Sequence, residues 1–166
     1  KYILFLNPDA ELFGGTLSKV LECMDAPQNA HIGICGVMLK EEGGRIARHC
    51  SRFPTVLRLV SRSFGFDRAF PKSAPAMTEW DHKTNRQVDQ VIGAFFFMRK
   101  CVFDELGGFD SRFFVYFEEV DLAYRCEKAG WASFYLADAQ AYHYGGGTSE
   151  QVKAHRLFYY LQSRLQ

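Results

Sequence analysis

The sequence has no long hydrophobic run, no excess of charge of either sign and no paired cysteine motif. Its 166 residues carry 20 Lys and Arg against 19 Asp and Glu, a balance that gives no support for a nucleic-acid partner. The longest apolar run, residues 91–98, is far shorter than the ~20 residues that cross a bilayer. Five cysteines without C-x-x-C spacing argue against a disulfide framework and a structural zinc site. They favour a reducing, cytoplasmic compartment.

The length predicts one domain covering residues 1–166. Sixteen Phe and eight Tyr supply enough aromatic surface for a core, or for a core and a sugar-binding surface. The segment 45–68 contains several arginines and no lysine. Because these arginines follow no strict helical stripe, a solvated surface is favoured over a membrane or phosphate patch.

Apolar strands alternate with amphipathic helices, which predicts an α/β fold with a mixed sheet flanked by helices. Residues 65–86 read as a long loop. Strands are predicted at 2–6, 32–39, 45–49, 88–99 and 132–142, and helices at 16–24, 53–64, 100–106, 118–128 and 149–165. The chain begins inside a buried-strand pattern, so we expect a fragment of a larger catalytic domain.

Asn7-Pro8-Asp9 follows the first apolar strand. Ligands of open α/β sheets gather at the carboxyl ends of strands, and a carboxylate there can hold a divalent cation that bridges diphosphate oxygens. Asn-Pro-Asp is also a common turn, and the motif alone favours the turn.

Three carboxylates, Glu118, Glu119 and Asp121, follow an aromatic run. Acidic residues in a first helical turn favour the helix dipole, so an ordinary helix start explains them on local grounds. A carboxylate held against aromatic rings can also have a raised pKa and act as a general base. Asp121 and Arg125 are spaced to pair across one helical turn. His143 ends the last strand before three glycines, a position suited to a metal ligand.

Four segments occur in a characteristic order: Tyr2-Ile-Leu-Phe-Leu-Asn-Pro-Asp, Gly93-Ala-Phe-Phe-Phe-Met-Arg, the block from Leu106-Gly-Gly-Phe-Asp to Asp121-Leu-Ala-Tyr-Arg, and His143. Taken together, they resemble family-2 glycosyltransferases, in particular rhamnosyltransferase-like members. The resemblance covers nearly the whole chain. It implies a partial GT-A fold and an inverting transfer from a nucleotide-diphosphate sugar.

The resemblance also implies roles for individual residues. Asn7 and Asp9 would hold the donor diphosphate, with Asp9 and His143 as ligands of Mg²⁺ or Mn²⁺. Glu119 would be the base, although the family has Asp where this chain has Glu. Gly93 and Ala94 would line the acceptor site. We add Glu118 and Asp121 to the catalytic set and Arg125 to the substrate-binding set.

The implied partners are a nucleotide-diphosphate sugar, either dTDP-rhamnose or a UDP-sugar, and a saccharide or lipid-linked acceptor in bacterial polysaccharide synthesis. The implied location is cytoplasmic or peripheral at the inner membrane face. The part that binds the nucleotide base is expected to be missing, which would leave the chain inactive alone and open a sheet edge to homodimerisation. The alternatives are a non-catalytic sugar-binding or scaffold domain and, less well matched, a nucleotidyltransferase.

Overall fold

The computed structural model describes residues 1–64, 74, 76–77, 79–113 and 116–144. Within them, the strands are β1 (Tyr2–Leu6), β2 (Ala10–Leu12), β3 (Ile32–Lys40), β4 (Arg86–Val88), β5 (Phe95–Arg99) and β6 (Ala132–His143). The helices are α1 (Thr16–Asp25), α2 (Val56–Ser63), α3 (Lys100–Glu105) and α4 (Glu118–Lys128).

The strands form one mixed sheet in the order β1-β5-β3-β6-β2, and β4 also pairs with β6. β3 and β6 run parallel, whereas the pairs β1–β5, β3–β5, β2–β6 and β4–β6 are antiparallel. β1 pairs only with β5 among the described strands. Homodimerisation through its outer edge stays a prediction.

β3 lies in the middle of the sheet, and eight of its nine residues are buried. Such a continuous apolar strand is typical of a sheet covered on both faces. Its register with β6 shifts between Val37–Leu136 and Met38–Gln140, so residues 137–139 of β6 have no counterpart in β3. Asn85 supports this bulge, because its side-chain oxygen accepts a hydrogen bond from the Ala137 amide at 2.7 Å. A bulge of this kind bends the strand and increases its twist.

Two hydrophobic clusters cover the two faces of the sheet. On one face α1 contributes Val20 and Met24. On the other face α3 and α4 contribute Val102, Leu122 and Cys126. The alternation of side chains along β3, with Ile34 in one cluster and Cys35 in the other, connects the two layers.

The predicted α/β class, with a mixed sheet and flanking helices, is confirmed. Helix α4 has the predicted bounds, and β1 does as well. The predicted helix at 149–165 lies outside the described residues.

Two of the strand predictions need correction. The segment 88–99 is not one strand: Val88 ends β4 and β5 begins only at Phe95, since the backbone between them turns past Gly93. The segment 45–49 makes a single bridge, Lys40–Ile46, instead of a strand. The short strands β2 and β4 were not predicted, because three-residue strands carry too little alternation to recognise.

In the part of the chain that the structure describes, no helix combines the length and apolar character that a membrane crossing requires.

Close packing against β3 predicts that Gly36→Ala destabilises the fold. A Cβ atom at Gly36 would lie 2.7 Å from the Cβ atom of Val91, so the core must shift, at a cost of about 1–3 kcal/mol. The measurement is the free energy of unfolding by urea. Gly14→Ala is the matched control, because a Cβ atom there meets nothing within 4 Å. Equal stability of the two variants would contradict the packing described.

Candidate active site

The turn after β1 and the end of β6 meet at one edge of the sheet. Ala10 in β2 pairs with His143, and the amide of Tyr144 donates to the Asp9 carbonyl at 3.0 Å. These main-chain bonds bring the Asp9 Oδ1 atom to 3.5 Å from the His143 Nε2 atom. Two residues that are distant in sequence are therefore held together by backbone pairing.

A second link joins this turn to the segment before β5. The Asn7 amide donates to the Ala94 carbonyl at 3.2 Å, which places Gly93 and Ala94 beside the Asn-Pro-Asp turn. Ala94 is fully buried. Gly93 in turn lies against α4, because a Cβ atom at Gly93 would come within 3.8 Å of Glu119 carboxylate atoms. Gly93 therefore lies within van der Waals range of the Glu119 carboxylate.

Glu119 is held in a setting that opposes its charge. Burial raises the pKa of its carboxyl to about 7, and the charge of Glu118 adds to this effect. Backbone amides of Glu119, Gly93 and Val120 partly offset the shift by donating to the carboxylate. Within the described part of the chain, the Oε2 atoms of Glu118 and Glu119 are buried without a hydrogen-bond partner. A buried carboxylate with one unpartnered oxygen suits proton abstraction.

The backbone before α4 sets the direction of these carboxylates. Tyr116 and Phe117 both have left-handed backbone angles, with φ values of 68° and 69°. Such conformations are costly for large side chains and cluster at functional sites. Phe117 supplies no side-chain hydrogen bond to cap the helix. The first-turn amides of Glu119 and Val120 instead donate to the Glu119 carboxylate, as suits an acidic residue at a helix start.

Asp121 and Arg125 form the predicted i, i+4 pair, with Nε donating to Oδ2 at 2.8 Å. The other Arg125 nitrogens donate to the carbonyls of Leu106 at 2.7 Å and Gly108 at 2.8 Å. This arginine therefore fastens α4 to the turn after α3, where Gly107 and Gly108 have positive φ. The pair has a structural function on these contacts. Its catalytic and substrate-binding roles stay predictions.

A buried histidine pair was not anticipated from the sequence. The rings of His49 and His82 lie 6.2 Å apart, and Trp80 stacks on His82 at 4.2 Å. Among the described residues, neither ring nitrogen of His49 has a hydrogen-bond partner. Burial lowers the pKa of His49 to about 3, with further contributions from His82 and His143. Isolated histidines in irregular segments carry no periodic signal that could have identified them.

The donor chemistry of Asp9 and His143 fits a divalent cation. A carboxylate oxygen and an imidazole nitrogen 3.5 Å apart are two of the ligand types that Mn²⁺ accepts, and Mg²⁺ or Mn²⁺ commonly takes its remaining ligands from water and phosphate. No group of three or more His, Cys, Asp or Glu side chains suited to a metal occurs among the described residues. Among the described residues, Asp9 and His143 are the side chains that would contribute ligands here.

A groove of about 690 Å³ lies along the turn after β3, lined in part by Arg45, Arg48, Asp81 and Lys83. Its charges are of both signs, and it does not include Asp9, Glu119 or His143. The groove is separate from the carboxylate site.

Known proteins with similar sequences point to one class of enzyme. The chain is 26% identical over 158 residues to the N-acetylglucosaminyl-diphospho-decaprenol L-rhamnosyltransferase of Mycobacterium tuberculosis, with 94% of this chain and 51% of that protein covered. It is 28% identical over 146 residues to the rhamnosyltransferase WbbL of Escherichia coli K12, with 86% and 52% covered. The chain thus spans about half the length of the curated relatives it matches.

The fold also has a solved counterpart. The crystal structure of A197 from STIV aligns with 87% of this chain and 58% of its own, with a TM-score of 0.51 at 14% identity, a likeness that concerns the fold alone. No family model matches the sequence.

The fold and the sequence matches together identify the chain as a relative of glycosyltransferases. More narrowly, its curated homologues are rhamnosyltransferases, which agrees with the resemblance carried by its motifs.

The burial of Glu119 predicts that Glu119→Gln stabilises the fold at alkaline pH. The folded-state pKa of about 7 lies above the ordinary glutamate pKa of 4.5. Wild-type stability is therefore full below pH 4.5 and falls as the pH rises to about 7. The glutamine variant lacks this loss, so its advantage should grow from pH 4.5 to 7 and reach about 1–3 kcal/mol.

Urea unfolding at pH 5 and pH 8 measures this difference. Glu127→Gln, an exposed change on the same helix, is the control and should show no such pH dependence. A Glu119→Gln variant that is less stable than wild type at pH 8 would refute the buried-carboxyl description.

Proposed function

We propose that this chain is the acceptor-side and metal-binding part of an inverting glycosyltransferase that acts in bacterial polysaccharide synthesis. One observation carries the proposal: the buried Glu119 carboxylate lies against Gly93, whose neighbour Ala94 bonds to the turn that holds Asp9 beside His143. A proton acceptor and a pair of cation ligands are thus connected through one short backbone segment. The rhamnosyltransferase relatives support the same function.

Inversion requires one base and a stabilised leaving group. In this proposal, the Glu119 carboxylate removes the proton from an acceptor hydroxyl while that oxygen attacks the anomeric carbon of the donor sugar. The transition state resembles an oxocarbenium ion, as in glycoside hydrolysis. In this proposal the acceptor reaches the carboxylate beside Gly93, which carries no side chain of its own. One catalytic carboxylate is enough, because the leaving diphosphate needs no proton.

Asp9 and His143 are the residues that would hold Mg²⁺ or Mn²⁺, and Asn7 stands beside them in the same turn. The cation would supply neutralisation of the negative charge on the leaving diphosphate. Asp9 lies in a turn fixed at both sides by main-chain bonds, from Asn7 to Ala94 and from Tyr144 to Asp9. Such rigid placement is what a donor-binding ligand requires.

The printed names of the relatives suggest the substrates. The mycobacterial relative is named for rhamnosyl transfer to an N-acetylglucosaminyl-diphospho-decaprenol. We therefore propose dTDP-rhamnose as the donor and a lipid-linked diphospho-sugar as the acceptor for the complete gene product that contains this chain. A UDP-sugar is the alternative donor.

The base assignment predicts that Glu119→Gln lowers kcat by a factor of about 10²–10⁴ in the complete gene product, since a general base contributes that much. The pKa of Glu119 near 7 also predicts that wild-type kcat rises with pH through this region, as the carboxylate loses its proton. The assay is transfer of labelled rhamnose to a short lipid-linked acceptor between pH 5.5 and 8.5.

Glu127→Gln should keep wild-type kcat and its pH profile. A Glu119→Gln variant with unchanged kcat would remove Glu119 from the mechanism. Binding of the acceptor with no transfer, in wild type as well as variants, would favour the non-catalytic sugar-binding alternative.

The cation site predicts that Asp9→Asn and His143→Ala each weaken Mn²⁺ binding about tenfold or more, equivalent to ~1.4 kcal/mol. The measurement is electron paramagnetic resonance of free Mn²⁺ in a titration with deoxythymidine diphosphate present. Asp104→Asn is the control, because Asp104 pairs with Lys100 on α3, away from the site. Unchanged affinity in both site variants would contradict the assignment.

A further inference from the structure

A small cavity of about 220 Å³ lies near the start of β6, at the opposite end of that strand from His143. None of the candidate catalytic and cation-binding residues lines it. Four side chains with hydrogen-bonding groups do line it: Gln87, Asp89, Trp131 and Ser133. The cavity is therefore separate from the candidate active site, and its polar lining calls for a function of its own.

The indole of Trp131 is a firmly placed wall of this cavity. Helix α4 ends at Lys128, and Gly130, with a φ of 87°, reverses the chain before β6 begins. The Trp131 amide donates to the Cys126 carbonyl at 3.0 Å. Its side chain packs against β3 at Gly33, where a Cβ atom would come within 3.0 Å of the Trp131 Cβ atom. The end of the helix and the bare backbone at Gly33 thus fix the half-buried indole.

The polar groups of the cavity have hydrogen-bonding capacity left over. Within the described part of the chain, the side chains of Gln87, Trp131 and Ser133 make no hydrogen bond. Among the same residues, the Asp89 carboxylate accepts only through Oδ2, from the Phe53 amide at 3.0 Å. An amide, an indole N–H, a hydroxyl and a carboxylate oxygen are thus available. A few such polar groups in a cavity are what orients a small ligand.

The mixture of donors and acceptors indicates the chemical class of the ligand. A sugar ring has hydroxyl groups that both donate and accept, and its C–H bonds can meet the negative face of an indole. An amine only donates, so it would leave the N–H groups of Trp131 and Gln87 without a partner. An anion would be repelled by Asp89 and by the exposed Glu127, which also borders the cavity.

The size of the cavity agrees with a single sugar ring. Pockets for drug-sized ligands enclose roughly 300–1,000 Å³, and this cavity of about 220 Å³ is smaller. Its border at Glu127 lies eight residues after Glu119 on α4, which is about 12 Å along the helix. A sugar in the cavity would therefore not contact the Glu119 carboxylate.

We propose that this cavity is a second saccharide-binding site, which takes one neutral sugar ring against the Trp131 indole. Gln87 and Ser133 hydrogen-bond to hydroxyl groups of the ring, and the Asp89 carboxylate accepts from another hydroxyl. The inference goes beyond the proposed function, because binding here needs no nucleotide, no cation and no transfer step. It gives the chain a hold on a glycan that is independent of the candidate active site.

Saturation-transfer difference NMR tests the proposal on the intact chain, with methyl α-L-rhamnoside and N-acetylglucosamine as probes. At least one probe should bind without metal ion or nucleotide, with a dissociation constant on the order of 1 mM for so small a ligand. The double variant Gln87→Ala, Ser133→Ala should bind at least about fivefold more weakly, because two hydrogen-bonding groups are lost.

Trp131→Leu should remove most of the binding, because the aromatic face is lost. Since Trp131 also packs against β3, circular dichroism and thermal unfolding verify that each variant is folded, and the double variant carries the test if Trp131→Leu is not. Gln28→Ala is the matched control, because Gln28 is an exposed glutamine outside the cavity. It should bind the probes as wild type does.

Three results would overturn the proposal. The first is no binding of either probe at about twenty times the expected dissociation constant, and the second is equal affinity of wild type and the folded double variant. The third is binding of butylamine with neither sugar bound, which would identify a cation site on the carboxylates.

A Glu119→Gln variant separates this cavity from the acceptor site of the proposed function. Loss of sugar binding in that variant, with binding retained in the double variant, would place the sugar at the acceptor site. That result would overturn the second site and support the proposed function. Loss in the double variant alone supports the second site, whatever the transfer activity of the complete gene product.

Discussion

The parallel pairing of β3 with β6 is the constraint on which the rest of the structure depends. β3 is buried along nearly its whole length, so its register is set by the core on both faces. β6 pairs with β3 on both sides of its bulge, and its last residues also pair with β2. Because β2 comes directly after the Asn-Pro-Asp turn, the position of Asp9 relative to His143 is a consequence of core packing. Residues held at strand ends in this way are positioned more precisely than residues on loops.

The other half of the site, around Glu119, is built from features that cost stability. Glu119 is buried with a raised pKa, and it follows two residues in left-handed conformations. Both features cost stability, and the ion pair between Asp121 and Arg125 with its carbonyl contacts helps to hold α4 in place against that cost. Functional carboxylates commonly occupy such unfavourable settings, because the same burial that destabilises the fold tunes proton transfer.

Local patterns in the sequence predicted the elements that depend on local forces. Helix α4 and the Asp121–Arg125 pair follow from helical spacing, and β1 follows from a run of apolar residues ended by Pro8. The extent of β5 could not be read from the sequence, because whether Gly93 continues a strand depends on the approach of α4. The closeness of Asp9 to His143 was expected from the family resemblance and not from any local pattern, and the buried position of His49 was not expected at all. These features depend on tertiary pairing between segments far apart in the chain, and local periodicity carries no information about such pairing.

Glu at position 119 places its carboxylate farther from the helix backbone than an Asp would. The backbone of α4 is fixed by Arg125 at one turn and by the left-handed pair at its start, so the helix has little freedom to shift. A glutamate extends its carboxylate by one more carbon–carbon bond, about 1.5 Å, than an aspartate would. Across from it stands Gly93, which adds no side chain of its own. Glu119 has one methylene more than an aspartate, and Gly93 lacks the methyl group of an alanine. These two differences are complementary in volume and together shape the space between α4 and the strand segment.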